Sequence, residues 1–287
     1  MENNAIKPKL LFFTNIDSNG YLNMAIDDYF IAKILENNYE KNNIDGVLRF
    51  YTFSSPTITI GYFQKTDIFS KEKLNNNRIS IIRRLTGGNA IYHDKYSFTY
   101  SIILNRDILN LKTNKDIYLF TAKILKDGLL KLGIDTIIED TTSTNDKNYD
   151  MNYDCFSSLS QYEIKRKDGN KLIGSAQKIF KNLFLQQGVF LNSYSPKNLE
   201  FFLKNIEKDM DINSLIKIDI NSFIKNEENI RIINGENIQI NDIIKSFKES
   251  FSEYMELINY EISSEDNLEI EKLVNSKYSR DEWNYKK

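Results

Sequence analysis

The chain has 287 residues, a net charge of −2, 41% hydrophobic and 13% aromatic content. This is enough apolar material for one large domain, or a domain with a small appendage, and no overall basic field that would draw in nucleic acid. One His and one Cys exclude an internal disulfide and leave almost no room for a zinc site built on His/Cys clusters.

Met1 to Leu10 is polar and lacks the apolar core of a signal peptide, and no window approaches a membrane-spanning run. The expectation is a soluble, cytoplasmic protein with no nucleic-acid or membrane partner. Leu22 to Lys33 reads as an amphipathic helix, with Leu22, Ala25, Ile26, Tyr29, Phe30 and Ala32 mostly on one side. Val47–Phe53 and Thr57–Tyr62 are β-rich and separated by Ser54-Ser55-Pro56, which predicts an antiparallel pair. Ile79–Arg83, Ala90–His93 and Ser97–Leu104 continue the sheet. Asn114–Leu132 is a helix with Ile117, Phe120, Ile124 and Leu132 on its buried face and Gly133 where a C-cap belongs. Thr141 to Asp150 is a polar loop. Tyr162–Arg166 and Lys171–Gln177 flank the Asp168-Gly169 hairpin signal, and Lys181-Asn182 turns into Leu183–Leu191. Beyond about Ser195 the strand signals fade. Asn241–Met255, with Ile244, Phe247, Phe251 and Tyr254 at helical spacing, and Asn267–Tyr278 are helices. The reading is a mixed α+β core over residues 1–195 with a helical C-terminal region, 196–287, packed on it.

The densest chemical signal is Arg83-Arg84-Leu85-Thr86-Gly87-Gly88-Asn89-Ala90-Ile91-Tyr92-His93-Asp94. Glycines let a backbone approach a ligand and present its N–H groups, and arginines hold an anion or carbonyl with forked geometry. It is not a P-loop, because no Gly-Lys-Ser/Thr follows. The bland alternatives are surface ion pairing for the arginines and a plain hairpin turn for the glycines. His93 is either a general base or a structural residue at a strand end, with Asp94 fixing its tautomer or beginning the next turn. Cys155 is either a small buried hydrophobe or a nucleophile on a loop. Lys171, entering the small-residue strand Leu172-Ile173-Gly174-Ser175-Ala176-Gln177, is either exposed or aimed into a pocket, where it stabilises an oxyanion or thiolate.

The order of these elements resembles the biotin/lipoate protein ligase superfamily on its lipoate side. The stations are Asn23-Met24-Ala25-Ile26-Asp27, Leu48-Arg49-Phe50-Tyr51, Thr57 to Gln64, Arg83 to Gly88 with His93-Asp94, Thr99-Tyr100-Ser101, Lys171 to Gln177 and Gln186-Gln187-Gly188. They run over roughly residues 20–192. Within the superfamily the chain is most similar to the cysteine-dependent octanoyltransferases. Cys155-Phe156 stands where that family places its acyl-accepting cysteine, and Lys277 to Lys286 is similar to its C-terminus. Two departures stand out: Asn89 in place of a third glycine, and Gln187 where the family usually has His.

The resemblance implies a ligase-like catalytic domain of mixed, mostly antiparallel sheets with packed helices. It implies transfer of an octanoyl group from octanoyl-acyl carrier protein, through a thioester on Cys155, to a lysine of a lipoyl-carrying protein such as the glycine cleavage H protein. Lys171 is then the second catalytic residue. Arg83, Arg84, Thr86, Gly87, Gly88, His93, Gly174, Ser175, Ala176, Gln187 and Gly188 line the substrate site. No metal and no cofactor are expected, and the protein is expected to be a monomer. Arg83 or Arg84 is either a remnant of an adenylate-facing loop or a contact for the carrier's phosphopantetheine. The alternatives are an ATP- and Mg-dependent lipoate–protein ligase, an amidotransferase between lipoyl proteins, and a non-catalytic binder of lipoyl domains or acyl chains.

Overall fold

Three strands buried along their length, but for the last residue of the second, set the frame: β2 (Gly46–Phe53), β6 (Phe98–Asn105) and β10 (Leu183–Phe190). A strand covered on both faces reads as a near-continuous apolar run rather than an alternating one. The computed structural model describes residues 7–36, 43–94, 97–140, 162–167, 171–190, 199, 201–203, 229–232 and 236–286. Among them, an eight-stranded sheet has the order β13-β1-β2-β6-β10-β9-β8-β7. Its other members are β1 (Lys9–Ser18), β7 (Thr136–Asp140), β8 (Tyr162–Arg166), β9 (Lys171–Phe180) and β13 (Glu256–Asn259). A three-stranded sheet holds β3 (Thr57–Ile60) between β4 (Ser80–Arg83) and β5 (Ile91–His93). A separate hairpin joins β11 (Asn229–Ile232) and β12 (Glu236–Gln239).

Both faces of the large sheet are covered. On one, Leu48, Phe50 and Ile102 pack with Ile117, Ile124 and Leu125 of α3 (Asn114–Lys131) and Ile243, Phe247 and Phe251 of α4 (Ile240–Tyr254). On the other, Val47, Tyr51 and Phe53 pack with Met24, Ile26 and Phe30 of α1 (Gly20–Leu35) and Ile270 of α5 (Ser264–Leu273). The period-2 alternation of β2 thus feeds two cores. Short α2 (Lys71–Asn76) adds Leu74 to a third core around the small sheet.

Several expectations change. Helix α1 is not amphipathic: Asn23 and Asp27 are buried with its apolar residues, while Ala32 is exposed. It lies between the large sheet and α5, so both sides are covered. Strands β2 and β3 are not an antiparallel pair. The Ser-Ser-Pro bend carries the chain into the other sheet, because both edges of β2 are already taken by β1 and β6. The C-terminal region is not purely helical, since β13 pairs in parallel with β1. Helix α5 starts earlier than Asn267, at a capping box in which Ser263 and Asp266 satisfy each other's backbone N–H groups. The α3 boundaries and Gly133, with φ +77, stand as read. Tyr278 ends a π-helical turn, Val274–Tyr278, that leads to α6 (Asp281–Asn284).

Candidate active site

A narrow cleft opens where the two sheets meet. The large sheet contributes Tyr51, Phe53, Thr99, Gly174, Ala176, Gln187, Gly188 and Val189. The small sheet and the loop after β4 contribute Thr59, Arg84, Ile91 and His93, and Met24 of α1 completes the wall. A mostly apolar lining with few polar groups suits an apolar chain carrying one polar end. Small residues on β9, Gly174 and Ala176, make the space. Gly188 is small for a different reason: on the opposite face the Tyr100 ring crosses it, and a Cβ there would lie 2.2 Å from Tyr100 Cε1. Ser175 is on that opposite face too, 2.7 Å from the Tyr100 hydroxyl, so it does not line the cleft.

One end of the cleft is built on a buried polar chain. The Gln187 amide donates to Asp27 Oδ2 at 2.7 Å, and its oxygen accepts from Thr86 Oγ1 at 2.8 Å. Asp27 Oδ1 accepts from Ser101 Oγ at 2.7 Å and from the Arg49 guanidinium at 2.9 Å. Arg49 also stacks over the Tyr51 ring, 4.0 Å from its centroid. Burial pushes the Asp27 carboxyl up, opposed by Arg49 and by the Ser101 and Gln187 hydrogen bonds. Gln187 therefore bridges a donor and an acceptor at once, as a neutral amide that does not titrate.

The two arginines do different work from an anion-holding fork. Arg83 is buried and holds its own chain. It donates to the carbonyls of Gly61, Tyr62 and Gln64 at 2.7–3.0 Å, and to those of Trp283, Asn284 and Lys286 at 3.0–3.2 Å. Arg83 does not line the cleft. Arg84 does, and it shapes the glycine turn by donating to the carbonyls of Gly87 and Asn89 at 2.6 and 2.8 Å. Gly88 has φ +84, a conformation other residues rarely take, and its carbonyl packs directly on Gly61. Thr86, Gly87 and Gly88 support the cleft rather than line it.

His93 is stacked on Phe53 with ring centroids 4.1 Å apart, and its Nε2 is 2.8 Å from Thr59 Oγ1. Burial, then the charge of Arg84, pushes its pKa down to about 3. It is neutral at physiological pH. Its Nδ1 is buried with no hydrogen-bond partner among the described residues.

Lys171 does not line the cleft; it pairs with the buried Glu163 carboxylate at 2.8 Å. Its orientation comes from a β-bulge. Ile164 faces Ile173 but Lys165 faces Lys171. Leu172 and Ile173 both join the core under α3 and α4, so the extra residue turns Lys171 to the face of Gly174 and Ala176. Lys165 adds a second cation 3.4 Å from Glu163. Cys155 lies outside the described residues. Among the described residues no cluster of three or more His, Cys, Asp or Glu side chains is placed to hold a metal, and no helix is long and apolar enough to cross a membrane.

The structure thus brings together Arg84, His93, Gly174, Ala176, Gln187 and Gly188 at the cleft. The residue reading did not single out Asp27, Arg49 or Glu163 as site residues. Two had a signal: Arg49 interrupts an apolar strand, and Asn23 and Asp27 stand one turn apart in an apolar helix. Charges in such places require a buried partner.

Residues 19–252 match the family model of the lipoyl protein ligase A/B catalytic domain. The octanoyltransferase LipM of Bacillus anthracis is 30% identical over 295 residues, covering 98% of this chain and 99% of that protein. Its counterpart in Bacillus cereus is 29% identical over the same shares. A bi-partite lipoate protein ligase of an archaeal lipoylation system, from Thermoplasma acidophilum, shares the fold with a TM-score of 0.66 at 20% identity, covering 98% of this chain and 96% of that one. With most of its length inside the family model, the chain belongs to the lipoyl protein ligase A/B catalytic domain family.

Proposed function

We propose the route by which this octanoyltransferase of protein lipoylation moves its acyl group. The near full-length octanoyltransferase relatives support the activity, and the observation that carries the route is the cleft. It is apolar along Met24, Phe53, Ile91 and Val189, as a medium-length acyl chain requires, and has neutral His93 and cationic Arg84 on its small-sheet side. The donor is an octanoyl thioester on acyl carrier protein. The Cys155 thiolate attacks the thioester carbonyl, the carrier's C–S bond breaks, and the carrier thiol leaves with a proton. An amine from a lysine of a lipoyl-domain protein, such as the glycine cleavage H protein, then attacks the Cys155 thioester. The amide forms and the cysteine is regenerated.

Thioester exchange is nearly balanced and aminolysis of a thioester is downhill, so the route needs neither ATP nor Mg. Lys171 is the charge that supports a cysteine otherwise mostly protonated near pH 7. Glu163 keeps that ammonium in place, and the bulge aims it to the cleft side of β9.

The test is to incubate the protein with octanoyl-acyl carrier protein without ATP, followed by intact mass and peptide mapping. One octanoyl group on Cys155, released by hydroxylamine and passed to a lipoyl domain, supports the route. Cys155→Ser should lose transfer by at least a thousandfold with an unchanged melting temperature. Turnover near the parent's in that variant rejects the cysteine route. Labelling of the acceptor only with ATP and a free acid identifies a ligase.

A further inference from the structure

The loop beside the cleft carries a feature that the acyl chemistry does not use. Phe63 is 87% exposed at the tip of the Gly61–Gln64 turn. That turn is closed by Gln64 N donating to the Gly61 carbonyl at 3.1 Å, and three of its carbonyls are held by Arg83. An exposed aromatic is thus presented on a backbone that is already ordered. Beside it, the Tyr62 ring is bracketed by two ammonium groups, Lys178 Nζ at 3.8 Å and Lys286 Nζ at 3.7 Å. Neither lysine has a carboxylate partner among the described residues, whereas neighbouring Lys277 pairs with Asp28 at 2.7 Å. Burial, and then the charges of Arg83 and Lys277, lowers the Lys286 pKa.

The patch is continuous with the cleft. Gly174 and Ala176 line the cleft from β9, and Lys178 is the next residue on the same face. Tyr62 N donates to the carbonyl of Thr86, whose side chain holds Gln187. An apolar knob rimmed by cations suits a protein surface bearing carboxylates around an apolar depression. A preordered aromatic anchor supplies affinity, and the cations supply steering that the chain's net charge of −2 does not.

We propose that Phe63, Lys178 and Lys286 form the docking surface for an acidic face of the protein that carries the acyl thioester. This rests on the transferase reading above only for the identity of the carrier, which must dock here to thread its acyl arm along β9 into the cleft.

The experiment is a fluorescence-anisotropy titration of labelled acyl carrier protein, and separately of a lipoyl domain, against the full chain, at low and physiological salt. Lys178→Glu with Lys286→Glu should weaken carrier binding about tenfold or more and flatten its salt dependence. Phe63→Ser should weaken it several-fold at both salt concentrations. Lipoyl-domain affinity should not move. Lys178→Gln, with melting temperatures for every variant, separates lost docking from lost folding. Carrier affinity unchanged in the folded variants overturns the proposal, as does a loss confined to the lipoyl domain. A parent protein that binds the carrier through this patch yet takes up no octanoyl group rejects the cysteine route and leaves the docking surface standing.

Discussion

His93 shows how a single side chain's environment decides its chemistry. An imidazole ordinarily titrates near 6.5, but here burial and Arg84 hold it neutral down to about pH 3. The unfolded chain binds a proton that the native state refuses between those two values. Stability therefore falls as pH drops through 6.5 toward 3, by up to about 1.4 kcal/mol per pH unit. His93→Gln removes that contribution, so its melting temperature should vary less steeply with pH over this window than the parent's. Equal slopes in thermal melts would show that His93 is not buried neutral. Glu163 makes the complementary case. Glu163→Gln takes the carboxylate of this buried pair away from the Lys171 ammonium, and breaking a buried ion pair costs up to about 3–5 kcal/mol. The expected result is a lower denaturant midpoint, and a double variant with Lys171→Met should recover part of it. No recovery would mean that the pair is not what the substitution disturbs.

Between β6 and β10, the packing behind the cleft depends on a missing side chain. Gly188 faces Tyr100 across the sheet, and a methyl there would collide with the ring. Gly188→Ala should therefore destabilise the protein by about 1–3 kcal/mol through overpacking, and Tyr100→Leu in the same chain should relieve it. Chemical denaturation of the single and double variants measures both. Additive losses would show that the ring is not the obstacle. The bulge in β9 belongs to this scale as well, because one extra residue in one strand decides on which face Lys171 stands.

The whole molecule is closed by its far ends in sequence. Strand β13 extends the large sheet beside β1, and α6 anchors the loop next to the cleft. Asn284 accepts from Arg83 N at 2.9 Å and donates to the Tyr278 carbonyl at 2.7 Å, while the Trp283 indole donates to the Arg83 carbonyl at 2.9 Å. Asn284→Ala leaves two buried backbone groups without partners, at about 1–3 kcal/mol for each. Amide exchange at residues 61–64 should rise together with that at 281–286, while β6 and β10 stay protected. Acceleration of the tail alone would show that the loop does not depend on it.

Local patterns in the sequence determined α3 with its Gly133 end, the β9–β10 hairpin at Lys181-Asn182 and the α4 stripe around Phe247 and Phe251, because helix periodicity and turn chemistry act over a few residues. The ordered stations from Asn23 to Gly188 also carried the family. The rest was decided by tertiary structure. Only the packing of α1 onto the large sheet reveals that Asp27 is a buried carboxylate tied to Arg49 and Gln187. Only the folded chain shows that Arg83 grips its own carbonyls across some two hundred residues instead of facing a ligand. A guanidinium has the same fork whatever it meets; which carbonyls or anions reach it depends on contacts between segments remote in sequence, and no local pattern encodes those.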